Sequence, residues 1–377
     1  MEYSHPDAAY ILALMRVTGV GVARAKALMD YYESAQNVWK EKSQALLTLP
    51  GLNEEIVGQF GSGKLLDLAK EELEWMAQHS IRMSFYRDAD YPQRLADCTD
   101  CPVAVFYRGG ANLNPSKSLA VVGTRRATEY GKQLTASVIG ELATLFVEPP
   151  TVVSGLAIGI DAMGHKAALN NNMPTVAVLG HGLATIYPRY NRSLAVKILE
   201  QGGVLMTEYQ HDIWPDGPNF VQRDRIIAGL SDATLVAESA DKGGSLITAS
   251  CALSYNRDVF AFPGRVSDVT YAGCNRLIRT NRAALVATGR DIASAMNWDV
   301  DAPAALDEPV QTNLFAGLTG EEKDVVRLLR KMPDGISANE IAKTLDVHMS
   351  KISSTLIQLE FKNKVRLLPG NLYVLVL

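Results

Sequence analysis

The residues in this chain best placed to do chemistry are arginines and glycines at the ends of apolar runs. VVGTRRATEYG (121–131) ends such a run in Gly123, and Thr124, Arg125 and Arg126 follow at once. Gly123 permits a tight turn, and amides at the start of the next helix attract an anion. An arginine fork can then hold a phosphate through two parallel bonds. A dinucleotide fingerprint would need G-x-G-x-x-G, and only Gly123 and Gly131 are near, which argues against NAD or FAD.

The same pattern recurs. SGLAIGIDAMGHKAAL (154–169) opens with Ser154 and Gly155, a second turn with exposed donors. LGHGLATIYPRYN (179–191) brings Tyr187, Arg189, Tyr190 and Asn191, and FVQRDRIIAGLS (220–231) brings Arg223 and Arg225. DKGGSLITAS (241–250) sets Gly243, Gly244 and Ser245 before a helix, an amide-rich anion cradle. CNRLIRTNRAAL (274–285) puts Arg276 and Arg279 on one helical face. On one rim, such arginines, amide turns and aromatics suit a phosphate backbone with stacked bases. Scattered over a surface, they would simply be solvated.

Catalytic alternatives are weaker. Asp161 and His165 sit four apart on one helical face, either as an acid–base pair or as a loop-orienting carboxylate beside a packed histidine. No nucleophile or metal set joins them. Cys98 and Cys101 form C-x-x-C, but Cys251 and Cys274 do not complete a zinc spacing, so structural thiols are expected. GQFGSGKL (58–65) nearly spells a P-loop, yet Leu65 stands where a magnesium-binding hydroxyl is required and a helical pattern precedes it. No catalytic residue, metal ligand or cofactor is expected.

Residues 81–300 alternate apolar, β-rich runs (SLAVVG, PTVVSG, PTVAVLG, VLMTEY, ATLVAES, DVFAFPG) with helical stretches. That predicts an α/β domain with a doubly wound, mostly parallel sheet, whose ligands bind beyond the carboxyl ends of the strands. Residues 1–80 read as helical with short glycine breaks at TGVGVARA and LPGLNEEI, either helix-hairpin-helix units or a plain bundle. Residues 301–316 read as a linker. Residues 317–377 give three helices and a hairpin turning at Pro369–Gly370–Asn371, the outline of a winged helix. Its recognition helix carries Lys351, Ser353, Ser354 and Gln358 and is not strongly basic, so a wing used for protein contact is the alternative.

The 377 residues carry a formal net charge of -4, so nucleic-acid contact would need a local basic patch. The N-terminus is acidic early and is interrupted by Arg16, unlike a signal peptide, and no run approaches the ~20 apolar residues of a membrane span. A cytoplasmic location without membrane contact is expected.

Taken together, the motifs resemble those of the DprA/Smf family of DNA-processing proteins. The matching stretches are DADYPQRL with CPVAVFYRGG (88–110), VVGTRR, SGLAIGID with His165, VLGHGL with YPRYN, RIIAGLS, GGSLITA, FAFPG and GCNRLI (273–278), in family order. The resemblance implies an extended Rossmann-like domain flanked by an N-terminal SAM/helix-hairpin-helix-like domain and a C-terminal winged helix. It implies single-stranded DNA binding without catalysis or sequence preference, a homodimer, and protection of DNA with loading of the RecA recombinase during transformation and recombination. Carried over, the arginine after the glycine turn is Arg125, the basic residue of the Tyr-Pro segment is Arg189, and the pair before IIAGLS is Arg223 and Arg225. The full set of expected DNA contacts is Gly123, Thr124, Arg125, Ser154, Gly155, Arg189, Asn191, Arg223, Arg225, Gly243, Gly244, Ser245 and Asn275.

The chain departs from the family at Asp224 and Val221, where Asn and Pro are usual, and at Gly164, usually Ala. A carboxylate at Asp224 would repel DNA unless it pairs with Arg223 or Arg225. The rival reading is a phosphoribohydrolase of the lysine-decarboxylase-like type, with signature P-G-G-x-G-T-x-x-E. KGGSLITAS aligns its glycines, but Lys242 replaces the proline and Ser250 the catalytic glutamate, so Glu238 would have to substitute.

Overall fold

The computed structural model describes residues 5–61, 63–300, 318–332, 335–362, 364–368 and 371–375. It forms two compact units, Met1–Pro303 and Ala304–Leu377. The expected linker, 301–316, lies outside the described residues, as do Pro369 and Gly370 of the expected turn.

The first unit begins with six helices: α1 (Ala8–Met15), α2 (Val22–Tyr31), α3 (Ala35–Lys40), α4 (Ser43–Leu46), α5 (Glu54–Val57) and α6 (Gly63–Gln78). Gly19 (φ +87°) and Gly51 (φ +82°) make the turns in left-handed conformations that a side chain would strain. Ser34 and Asn53 cap α3 and α5 by accepting from the amides of Asn37 and Ile56. The apolar faces, with Ile11, Leu12, Met29, Trp39 and Met76, share one core with Phe85, Val103 and Phe106 at the edge of the sheet.

That sheet has nine strands: β1 (Arg82–Phe85), β2 (Ala104–Gly109), β3 (Ser118–Gly123), β4 (Thr151–Ser154), β5 (Thr175–Leu179), β6 (Val204–Thr207), β7 (Ala233–Glu238), β8 (Asp258–Ala261) and β9 (Ala284–Leu285). Between them run α7 (Gln93–Ala96), α8 (Glu129–Leu145), α9 (Ile160–Asn170), α10 (Arg192–Glu200), α11 (Gly217–Gly229), α12 (Ser245–Ser254) and α13 (Ala272–Arg279), with α14 (Gly289–Ala295) after β9. The order is β1-β2-β6-β5-β4-β3-β7-β8-β9. Strands β3 to β9 pair in parallel, while β2 runs antiparallel to both β6 and β1. The central strands are buried from end to end, as their unbroken Val, Leu and Ala runs require when helices cover both faces.

From β3 the chain steps outward through β4, β5 and β6, then returns to β7 on the other side of β3. The carboxyl ends of β3 and β7 therefore form the switch point where such sheets bind ligands. Gly123 pairs with Glu238 there, after a register shift beyond Val122.

The second unit holds α15 (Gly320–Arg330), α16 (Ala338–Leu345) and α17 (Met349–Phe361) with a three-stranded sheet. Its strands β10 (Ile336–Ser337), β11 (Val365–Leu368) and β12 (Leu372–Leu375) lie in the order β10-β12-β11, all antiparallel. Capping boxes Thr319/Glu322 and Ser337/Glu340 start α15 and α16. Among the described residues no helix is long and apolar enough to cross a membrane.

Candidate nucleic-acid interface

At the switch point the β3–α8 turn does not leave an open anion site. Thr124 donates its amide to the Glu238 carbonyl (2.7 Å). The wholly buried Glu238 carboxylate accepts from the Thr128 amide (3.0 Å) and the Thr128 hydroxyl (3.0 Å). Thr128 in turn caps α8 by accepting from the Gly131 amide. A Cβ on Gly131 would stand 2.1 Å from the Glu238 carboxylate, so glycine is required for this approach. The positive end of α8, where a dinucleotide-binding sheet holds its pyrophosphate, is filled by the protein's own carboxylate.

The arginines of the turn face outward. Arg125 and Arg126 are both exposed. The Arg125 guanidinium lies 5.8 Å from the centroid of the Phe220 ring, within cation–π reach. Phe220 and the half-exposed Tyr187 are 5.5 Å apart at 33°. A cation and two rings thus stand in a row across the ends of three strand–helix connections. The turn is held from beneath, because Ile160 donates to the Thr124 carbonyl and a Cβ on Gly159 would meet that oxygen at 2.2 Å.

The Tyr187 loop continues the row. Tyr187 donates its amide to Nε2 of His181, whose Nδ1 faces the Gly182 carbonyl. Burial pulls His181 below the ordinary histidine value against its two backbone hydrogen bonds. The Tyr187–Pro188 peptide is cis, and Arg189 and Tyr190 follow at the surface, Tyr190 81% exposed. Asn191 turns inward to donate to the Leu156 carbonyl (2.8 Å), anchoring this loop to the end of β4. Gly182 donates to the Ile213 carbonyl, bringing up the loop that carries Trp214, 74% exposed.

Several expected contacts point inward. The Ser154 hydroxyl is buried and donates to the Val121 carbonyl (2.6 Å). Arg223 is 4% exposed and donates to the carbonyls of Gly155 (2.7 Å) and Val178 and to Asp224 (3.1 Å). Gly155 itself is buried, and a Cβ there would collide with the Arg223 guanidinium. Arg225 is also buried, paired with Glu208 and donating to the Asp100 carbonyl (2.7 Å). Two residues apart on α11, the two arginines leave the helix in different directions and neither reaches the surface. Ser245 bonds Ser239 (3.0 Å), and Asn275 brackets Gly264 by accepting from its amide and donating to its carbonyl, 3.1 Å each. These side chains hold the strand ends and loops in place. The outward-facing members of the expected set are Thr124, Arg125, Arg189 and the Gly243–Gly244 turn, with a Cβ on Gly244 meeting open space.

The two acid–base candidates separate. Asp161 accepts from the Gly155 and Ala157 amides, and burial raises its carboxyl above the usual range against the pull of Arg223. His165 is fully buried against Thr175 (2.7 Å), and desolvation with the nearby Arg223 pushes it down to about 3. It is a neutral packing residue, and Asp161 orients the β4–α9 loop. Asp224 does pair with Arg223, yet burial leaves its carboxyl raised to about 6, with Asp161 adding to the shift.

Phe220 and Trp214 were not singled out by sequence reasoning. Phe220 opens FVQRDRIIAGLS four residues into α11, and only the fold shows that it meets Tyr187 and Arg125.

Residues 82–297 match the family model described as DNA recombination-mediator protein A. The chain is 36% identical to Protein Smf of Escherichia coli K12, over 78% of each chain. It is 40% identical to the DNA processing protein DprA of Streptococcus pneumoniae, over 56% of this chain and 73% of that one. Among solved structures, DprA from Streptococcus pneumoniae superposes with a TM-score of 0.65 at 30% identity, covering 76% of this chain and 97% of that one. DNA processing protein A from Helicobacter pylori, described for its single-stranded DNA binding mode, superposes with a TM-score of 0.51 at 27% identity, covering 58% of this chain and 97% of that one.

Proposed function

Because this chain belongs to the DNA recombination-mediator protein A family, we propose that it binds single-stranded DNA along the rim formed by Arg125, Phe220, Tyr187 and Arg189. The observation that carries this reading is the row of one guanidinium and two rings, running from the end of β3 to the connections that follow β5 and β6. Arginines neutralise backbone phosphates, and exposed rings stack bases without regard to sequence. A single strand offers unstacked bases to such rings, whereas a duplex does not.

In this reading the site binds and does not catalyse. Glu238 bonds Thr128, Asp161 accepts from loop amides, and His165 Nδ1 faces Thr175. Ser250, at the position of the hydrolase glutamate, accepts a bond from Arg282. In the same reading the protein is cytoplasmic, works as a homodimer, protects the bound strand and hands it to the RecA recombinase. Val266 and Val269, 101% and 75% exposed near the β8–β9 edge, are candidates for the surface between copies. The antiparallel helix-and-hairpin unit at 318–375 supports a winged-helix role.

A gel shift of the full chain with oligo-dT and with a duplex of equal length, without ATP, tests the proposal. Preference for the single strand is expected; equal or stronger duplex binding would overturn it. Incubation with nucleoside monophosphates tests the hydrolase alternative, and release of free base would support that instead.

A further inference from the structure

A cavity of about 320 Å³ lies away from the rim, where the last turn of α6, strand β2, the 183–186 loop and α10 meet. Its floor is aliphatic, with Leu183, Ile186, Leu199 and Leu205. Arg108 and Arg192 also line it, both exposed and neither in an ion pair among the described residues. No carboxylate is among the lining residues.

The wall is held in place before any ligand arrives. Trp75 stacks on His79 at 4.2 Å and on His211 at 4.4 Å. His211 is fixed in turn by the buried Glu72 carboxylate, which its amide also meets at 3.0 Å. Arg16 closes the acidic side of this cluster through Asp212 and Glu72. The positive charge of Arg16 is therefore spent on carboxylates, and that of Arg108 and Arg192 is not.

We propose that this cavity binds an amphipathic anion of about mononucleotide size, its acidic group held between Arg108 and Arg192 and its apolar body on the aliphatic floor. The volume falls at the lower end of small-ligand pockets. An inorganic ion would leave the floor unfilled, and a neutral apolar ligand would leave two guanidinium forks without the carboxylate, sulfonate or phosphate that suits them. Because Ile186 immediately precedes Tyr187, and α10 directly follows the Arg189–Asn191 turn, an occupant would press on the loop that carries Tyr187 and Arg189.

Calorimetric titration of the full chain with anilinonaphthalene sulfonate, and separately with deoxyadenosine monophosphate, tests this. Saturable binding at one site is expected for the sulfonate. It should weaken at least about tenfold in Arg108→Gln or Arg192→Gln, each losing a charged hydrogen bond. It should vanish in Val196→Trp, which fills the cavity from a position 47% exposed, and survive Arg125→Ala with Arg189→Ala at the rim. Nucleotide binding with the same sensitivities narrows the class to nucleotides; sulfonate binding alone keeps it at amphipathic anions without phosphate. No binding by either probe, or binding indifferent to all three cavity substitutions in variants with unchanged melting, overturns the proposal.

Discussion

Glu238 sets its buried carboxylate 3.0 Å from both the amide and the hydroxyl of Thr128, closing the start of α8 from inside. This one contact explains why a sheet of dinucleotide-binding type lacks the glycine fingerprint: the anion is supplied by the chain. Glu238→Ala strands the Thr128 donors and the helix dipole, and a loss of about 1–3 kcal/mol in urea unfolding is expected. Glu238→Gln, which keeps an acceptor, should lose less. An unchanged midpoint in Glu238→Ala would show that the contact contributes nothing.

Arg223 and Arg125 should separate cleanly. Arg223→Met breaks a buried network of two carbonyls and Asp224, and a destabilisation of about 3–5 kcal/mol is expected. Arg125→Ala, on an exposed arginine, should leave the melting temperature within the small range of surface substitutions while weakening oligonucleotide binding. Paired thermal melts and anisotropy titrations check both. A stable Arg223→Met protein with selectively weakened binding would return that arginine to the DNA.

Those two residues also show how far the sequence could be read. The near-continuous apolar runs located β3 to β8 because a two-sided parallel sheet leaves no polar alternation to blur them. Gly123 and Arg125 were legible because a turn followed by a charge at a strand end has few other uses. Arg223 and Arg225 were not, since a motif gives residue type without direction. Their partners, Val178 in β5, Gly155 just past β4 and Glu208 just past β6, are distant in sequence, and no spacing along the chain reveals them. The antiparallel β1–β2 edge was likewise hidden, because CPVAVFYRGG carries the same apolar signal in either orientation.

Phe220 should contribute stacking. Phe220→Leu keeps an apolar side chain but removes the ring, and affinity for oligo-dT should fall by the roughly 1–3 kcal/mol of one base–aromatic contact. Phe220→Trp should restore most of it. Equal affinity for wild type and Phe220→Leu would remove the ring from the binding path.

Asp224 gives the binding a pH dependence of defined sign. Its carboxyl is raised to about 6 by burial, so the charged form is the one the fold disfavours. The stability its proton confers is complete below the ordinary aspartate range and lost as pH rises through about 6. Protonation also removes a negative charge that pulls on Arg125, one of the groups coupled to it. Oligonucleotide affinity should therefore rise as pH falls from 7.5 toward 5.5. Asp224→Asn should bind more tightly at neutral pH and lose this slope. A slope that persists in Asp224→Asn would assign it to another group.

Arg125 and Arg189 are expected to neutralise backbone phosphates of a single strand. The most direct measurement is the dependence of oligo-dT affinity on salt for wild type and for Arg125→Ala with Arg189→Ala. Each lost phosphate contact should lower the log–log slope by about 0.7, so the double variant should bind more weakly with a slope shallower by about 1.4. An unchanged slope and affinity in a normally folded double variant would show that these arginines do not grip the strand.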